Sequence, residues 1–292
     1  MRKTLLYAMA IVMIFAFACQ KKDIETREYT ADDYSVVEIL TENGNITSDM
    51  ESGDISIDFT RIGDDPELIE IGEYISSDTL RIAVEIPEDH PEYSCDVDVT
   101  LPDDIQVGFL TFNGNITAVG HQVLTLLEAH NGNINVTNTA GTAVVGSLSG
   151  DINIENHNGY LEAEASDGTI DMKNTQGTAD IESTSGDLLV DNHSGDITGQ
   201  ASNGVVDADV DMPKTDGTCV FSNDNGPVTV AVETDVNASV TLTATAGSIN
   251  VDASFGMTDE NPAESVFQGT LGDGSGTINL TSNSGDVRLN AR

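Results

Sequence analysis

The chain has 292 residues, 50 acidic against 11 basic side chains, a formal charge of −39 and no tryptophan. That balance excludes nucleic acid as a partner, because neutralising phosphate needs clustered lysine and arginine. It also disfavours direct adsorption to anionic membrane surfaces and fits a solvated acidic coat, of the kind that suits a long particle or a salty habitat.

Met1 to Ala18 reads as a targeting segment. Arg2 and Lys3 form a positive n-region, and Leu5 to Phe17 form an uncharged h-region too short to span a membrane. Ala16-Phe17-Ala18-Cys19 resembles a bacterial lipobox. The resemblance implies cleavage before Cys19 and acylation, with palmitate among the chains, on its sulfur and new amino group. Ordinary secretory cleavage after Ala18 is the alternative. Gln20, where aspartate would retain a lipoprotein at the inner membrane, implies by the same resemblance an outer-membrane destination, on either its periplasmic or its surface side. Residues 19–31 are expected to be the lipidated cysteine and a polar tether, and residues 32–292 one folded domain.

Tyr34 to Thr60 opens that domain. Asn43-Gly44-Asn45-Ile46 and Ser52-Gly53-Asp54-Ile55 stand nine residues apart. Residues 61–104 interrupt the pattern with strand-like runs, Thr79 to Ile86 and Cys95 to Leu101, between Pro87, Pro91 and Pro102. They are expected to cover the first coil, since a bare end would offer unpaired backbone to other chains. Asn113-Gly114-Asn115-Ile116 rejoins the pattern. Then a glycine falls at every ninth position: Gly132, Gly141, Gly150, Gly159, Gly168, Gly177, Gly186, Gly195 and Gly204. After Gly204 the spacing loosens, and residues 257–274 read as an inserted loop.

Each nine-residue unit is a turn followed by apolar-polar-apolar alternation, as in Gly150-Asp151-Ile152-Asn153-Ile154. Alternation at period two marks a strand with one buried face, and the glycine with its Asn, Ser or Asp neighbour is expected to supply positive-φ backbone at the corner. The nine is half of an eighteen. Asn138, Asn156, Asn174 and Asn192 follow alternate glycines, whereas Ser147, Ala165, Ser183 and Ala201 occupy the same place in the other halves. The expectation is an all-β, right-handed parallel β-helix of about eighteen residues per coil, because parallel crossovers are nearly always right-handed. The four asparagines would stack as an internal amide ladder; plain turn residues are the other reading of them.

Little in the sequence points to catalysis. Asp151 and Asp187 share a position but lie two coils apart, with Thr169 between them, and the repeat region has one lysine, Lys173. Carboxylates converging on one face, with a basic group for an acidic sugar, are what a polysaccharide lyase or hydrolase would need. His157 and His193 would be about 10 Å apart along the axis, too far to share a zinc ion. They, with His90, His121 and His130, are expected at surfaces or corners. Ser-Gly-Asp-Ile at 149, 185 and 194 lacks the second pair of glycines of calcium-binding nonapeptides, so no metal or cofactor is expected and weak surface calcium binding is not predicted. Cys95 and Cys219, roughly 24 Å apart by strand spacing, are expected to be free and buried.

Val97-Asp98-Val99-Thr100-Leu101-Pro102, Ile105-Gln106-Val107, Asn113-Gly114-Asn115-Ile116 and the run of Gly-Asp/Asn-Ile units resemble a bacterial adhesin-like family whose domain has no assigned function. The resemblance spans about residues 35 to 292. It implies a β-helix in a cell-envelope protein, often a lipoprotein, and carries no catalytic residues to transfer. The expected function is a non-catalytic, adhesin-like or structural binding module, held to the membrane by its lipid and meeting an unidentified envelope, glycan or protein ligand. A periplasmic envelope-stress accessory protein and a polysaccharide-active enzyme are the alternatives.

Overall fold

A computed structural model describes residues 20–123, 125–257 and 265–292. Cys19 and the targeting segment lie outside them. The described residues are all β, apart from three single-turn 3-10 helices, and every strand joins one continuous hydrogen-bonded sheet system. The repeat pairs with itself in parallel. Ile134 stands beside Ile152, Ile152 beside Ile170, Ile170 beside Leu188 and Leu188 beside Val206. On the other side of the coil Ala143, Leu161, Ala179 and Ile197 align in the same way.

Each turn of chain therefore has two faces. A narrow face is a four-residue run such as Ile134–Thr137, and a broad face a longer one such as Ala140–Ser149. Alternation sends Ile134, Val136, Ala143, Val145 and Ser147 inward and their neighbours outward. The inward side chains of both faces form one apolar core running from Val37 to Leu289.

Both ends are built out of chain order. At the first end, Val36–Asn43 and Ile46–Met50 form a layer flanked on one side by Gln106–Asn113 and Ile116–Val119. On its other side lie Thr79–Glu85 and Ser94–Leu101, so residues 61–104 do cover that layer. Antiparallel strands finish the end: Glu70–Ser76 on Thr79–Glu85, and Ile55–Gly63 on Ser94–Leu101. At the far end, Gly276–Ser282 and Val287–Ala291 insert between the layer of Thr218–Asn225 and Val228–Val232 and the layer of Ala238–Ala244 and Ile249–Val251.

Two expectations about segments fail. Residues 21–29 are not a tether but a strand, Lys21–Tyr29, antiparallel to Ile55–Gly63 along nine paired positions. Its inward row is Asp23, Glu25, Arg27 and Tyr29 rather than aliphatic. Arg61 reaches Asp23 at 2.8 Å and pairs with Glu25, while Arg27 lies 5.4 Å over the Phe59 ring. Tyr29 donates to Glu73 at 2.9 Å across the end of the core. An ion-pair network thus does the covering that apolar side chains do elsewhere, and polar composition disguised the strand. The second failure is the loop at 257–274. Residues 258–264 lie outside the described ones, but Val266–Leu271 is a strand paired antiparallel with Ala238–Ala244.

Candidate functional site

The corners show what the repeated residues do. A Cβ on Gly150 would lie 2.1 Å from the Gly132 carbonyl oxygen, and one on Gly159 would lie 1.9 Å from that of Gly141. Gly132, Gly150, Gly168, Gly186 and Gly204 stack in one column, and Gly141, Gly159, Gly177 and Gly195 in another. Close approach between coils, not φ alone, demands glycine. Gly150, Gly168 and Gly186 do not have the positive φ expected of them, although Gly141 does at +84°.

The residue after the corner glycine supplies an acceptor. Asn115 Oδ1 takes the Asn133 amide at 2.8 Å, Asn133 Oδ1 takes that of Asp151, Asp151 Oδ1 takes that of Thr169, and Asp187 Oδ1 takes that of Val205. Asp151 and Asp187, weighed above as catalytic or calcium-binding groups, each satisfy a backbone N–H of the next coil. Ser147 and Ser183 donate from inside to the carbonyls of Gly132 and Gly168.

The asparagine column is not internal. Asn138, Asn156, Asn174 and Asn192 are exposed and hold φ between +50° and +61°, the left-handed corner that asparagine tolerates. Asn156 donates to Asn138 and Asn192 to Asn174, each at 2.9 Å. Burial belongs to the next residue in each coil. His121, Thr139, His157, Thr175 and His193 line up inside the corner, at most 3% exposed. Three of the five histidines expected at surfaces or corners thus sit at corners, but on the inside. Thr139 Oγ1 lies 2.9 Å from His157 Nδ1 and Thr175 Oγ1 2.9 Å from His193 Nδ1. The other ring nitrogens face the Tyr160 and Asp196 carbonyls at 3.2 Å. A carbonyl can only accept, so Nε2 carries the proton and Nδ1 accepts from threonine. Burial holds all three imidazoles below their ordinary pKa, His121 at about 4. It pushes the Cys95 and Cys219 thiols up to about 12, and both are free and buried.

Chemistry directed at solvent concentrates on the broad face, near the first end. Across its strands run the outward rows Glu38, Gly108, Leu126, Val144, Glu162, Asp180 and Leu40, Leu110, Glu128, Gly146, Glu164, Glu182. Phe112, His130 and Leu148 continue the surface toward the corner, with Phe112 and His130 edge-to-face at 4.4 Å. Leu126 is 48% exposed and Leu148 51%. A hollow of about 220 Å³ lies over Gly146, between Leu126, Val144, Leu148, Glu128 and Glu164. Four strands contribute the apolar part, and in these two rows the next two strands contribute only carboxylates, Glu162 and Glu164 beside Asp180 and Glu182. Consecutive apolar pairs such as Leu126-Leu127 and Val144-Val145 carry this surface in the sequence; alternation assigns only one of each pair to the core.

A second cleft, of about 660 Å³, opens at the first end beside Asp32, Tyr34, Glu51, Asp103 and Asp104. Among the described residues no three His, Cys, Asp or Glu side chains converge as metal ligands. Lys173 is tied to Asp171 at 2.5 Å on the narrow face.

The sequence profile of the family described as Toastrack DUF4097 matches residues 16–290. No curated protein matches the chain. Among solved structures, a "putative adhesin" from Bacteroides fragilis is 14% identical, with 91% of this chain and 97% of that chain covered at a TM-score of 0.45. One from Parabacteroides merdae is 13% identical, covering 91% and 95% at a TM-score of 0.47. A "putative lipid binding protein" from Parabacteroides distasonis is 9% identical, covering 91% and 96% at 0.46.

Proposed function

Since the chain belongs to the Toastrack DUF4097 family, we propose that it is a non-catalytic, adhesin-like binding module of the bacterial envelope, built as a right-handed parallel β-helix of eighteen residues per coil and anchored through a lipid on Cys19. The observation that carries the binding role is the exposed apolar surface around Leu126, Val144 and Leu148, on a chain whose other outward positions are mostly polar or acidic. Isolated exposed apolar residues need no explanation, but contiguous ones mark contact surfaces. The carboxylates that recur at the corners are engaged with backbone amides, which leaves them poorly placed for acid–base chemistry. As an anchor, Cys19 would sit two residues before the strand Lys21–Tyr29, holding the first end of the particle close to the outer membrane.

The test is a glycan and matrix-protein binding screen with the intact protein, run beside Gly146→Gln. A Cβ at Gly146 meets nothing within 4 Å, so the substitution fills the hollow without disturbing the coil. Retained ligand that the variant fails to hold is the expected result. Depolymerisation of any polysaccharide in the same screen would end the non-catalytic reading.

A further inference from the structure

We propose that the broad face between Leu40 and Glu182 is a docking surface for a cationic, amphipathic polypeptide segment, with aliphatic side chains on its apolar part and lysine or arginine on its acidic part. The inference rests on the binding reading above and names the partner of that site.

The layout is directional. Leu40, Leu110, Phe112, Leu126, Val144 and Leu148 occupy four successive strands, and Gly108 and Gly146 lower the surface between them. The next two strands place Glu162 beside Asp180 and Glu164 beside Glu182, in direct parallel register. Like charges paired across a sheet oppose each other, so this arrangement costs stability that neutral residues would not. Among the described residues no lysine or arginine answers them. Glu128 has only His130, at 3.6 Å, and Glu162 only the Tyr160 hydroxyl. Strands lie about 4.8 Å apart, so the apolar block is some 15 Å long and the acidic block begins directly beyond it.

Charge decides among occupants. A second copy would bring its own share of a −39 charge to the same surface. Anionic lipid and nucleic acid are repelled for the same reason. A segment carrying apolar and then basic side chains matches both blocks at once. An extended segment running across the strands presents every second side chain to the face, about 6.6 Å apart, which suits this length.

The probe is a synthetic heptapeptide with leucine at its first and third positions, lysine at its fifth and seventh, and serine between. It is measured by fluorescence anisotropy against the intact protein, at low and high salt. Binding is expected, with at least about a tenfold loss when serine replaces both leucines or when Leu126→Ser and Leu148→Ser are introduced. Glu162→Gln with Glu164→Gln should weaken binding at low salt and flatten its salt dependence. All four sites face outward, so circular dichroism should match the unsubstituted protein; the leucine variants should keep its thermal unfolding, and the glutamine pair, relieved of like-charge repulsion, should unfold no earlier. Equal binding of the leucine-free peptide would mean that the acidic coat attracts any cation, and the proposal fails. So does binding unchanged by the four substitutions, or a dimer of this chain that Leu126→Ser dissolves. Should the heptapeptide fail while the ligand screen succeeds, the partner named here is wrong and the binding module stands. Should both fail, the module reading falls too.

Discussion

A corner glycine here answers to a carbonyl oxygen in the coil below, and that makes its replacement costly in a predictable way. Gly150→Ala would set a Cβ 2.1 Å from the Gly132 oxygen and 2.5 Å from its carbon, both backbone atoms that only a shift of the coil can move. Overpacking of this kind costs about 1–3 kcal/mol. Gly146→Ala, in mid-strand with open space around it, should instead leave stability unchanged or raise it by about 0.5 kcal/mol through the unfolded chain. Urea unfolding of the two variants separates the explanations; equal losses would mean that close approach is not what selects glycine. The buried histidines give the second residue-scale expectation. Unfolded imidazoles take up protons as pH falls through about 6.5. Folded His121 resists until about 4, and His157 and His193 are also held low by burial. The unfolded chain therefore binds more protons in that window, and stability falls as pH drops through it, by up to about 1.4 kcal/mol per pH unit for His121 and in the same direction for His157 and His193. His157→Thr, the residue already present in the adjacent layers at Thr139 and Thr175, should flatten the stability-against-pH curve. Parallel curves for the two proteins would refute the assignment.

Single strands in this fold differ in what holds them. Most are zipped on both edges and bury aliphatic side chains, but Lys21–Tyr29 has one neighbour and a charged inward row. Its attachment runs through Arg61, Arg27 and Tyr29. Arg61→Ala should leave Asp23 unpaired beside Glu25, which keeps Arg27 at 2.6 Å, at about 1.5–3 kcal/mol for the lost charged hydrogen bonds. The readout is local: faster amide exchange and proteolysis across residues 21–29, with the central coils unaffected. Global unfolding instead would mean that this strand is integral to the core. This element was illegible in the sequence for a physical reason. Strand signals rely on apolar alternation, and alternation of ion-paired residues has the same geometry without the same composition.

For the particle as a whole, the layer inserted at the far end makes the strands Gly276–Ser282 and Val287–Ala291 integral. Gly276–Ser282 and Val287–Ala291 lie between two other layers, so the last residues of the chain glue Ala238–Ala244 and Ile249–Val251 to the body. Truncation after Ser275 should therefore release Ala238–Ala244, Ile249–Val251 and Val266–Leu271 as well, seen as lost exchange protection well beyond the deleted segment. Protection retained in Ala238–Ala244 would contradict that order. Pairing across long stretches of chain at both ends also predicts slow folding relative to the locally paired centre.

Period-two alternation and nine-residue glycine spacing determine from sequence alone that the chain is all β, where each central strand lies and which of its residues face inward, because those are local and periodic. The sequence also marks both free cysteines as buried. Tertiary structure alone decides which residue of a corner is interior: Asn156 and His157 are adjacent polar residues of one corner, yet only the second turns into the core. It alone decides the order of coils at the ends and the joining of Leu126, Val144, Leu148, Glu164 and Glu182 into one surface. Those facts depend on which strands become neighbours, and pairing between segments far apart in the chain leaves no local periodicity to read.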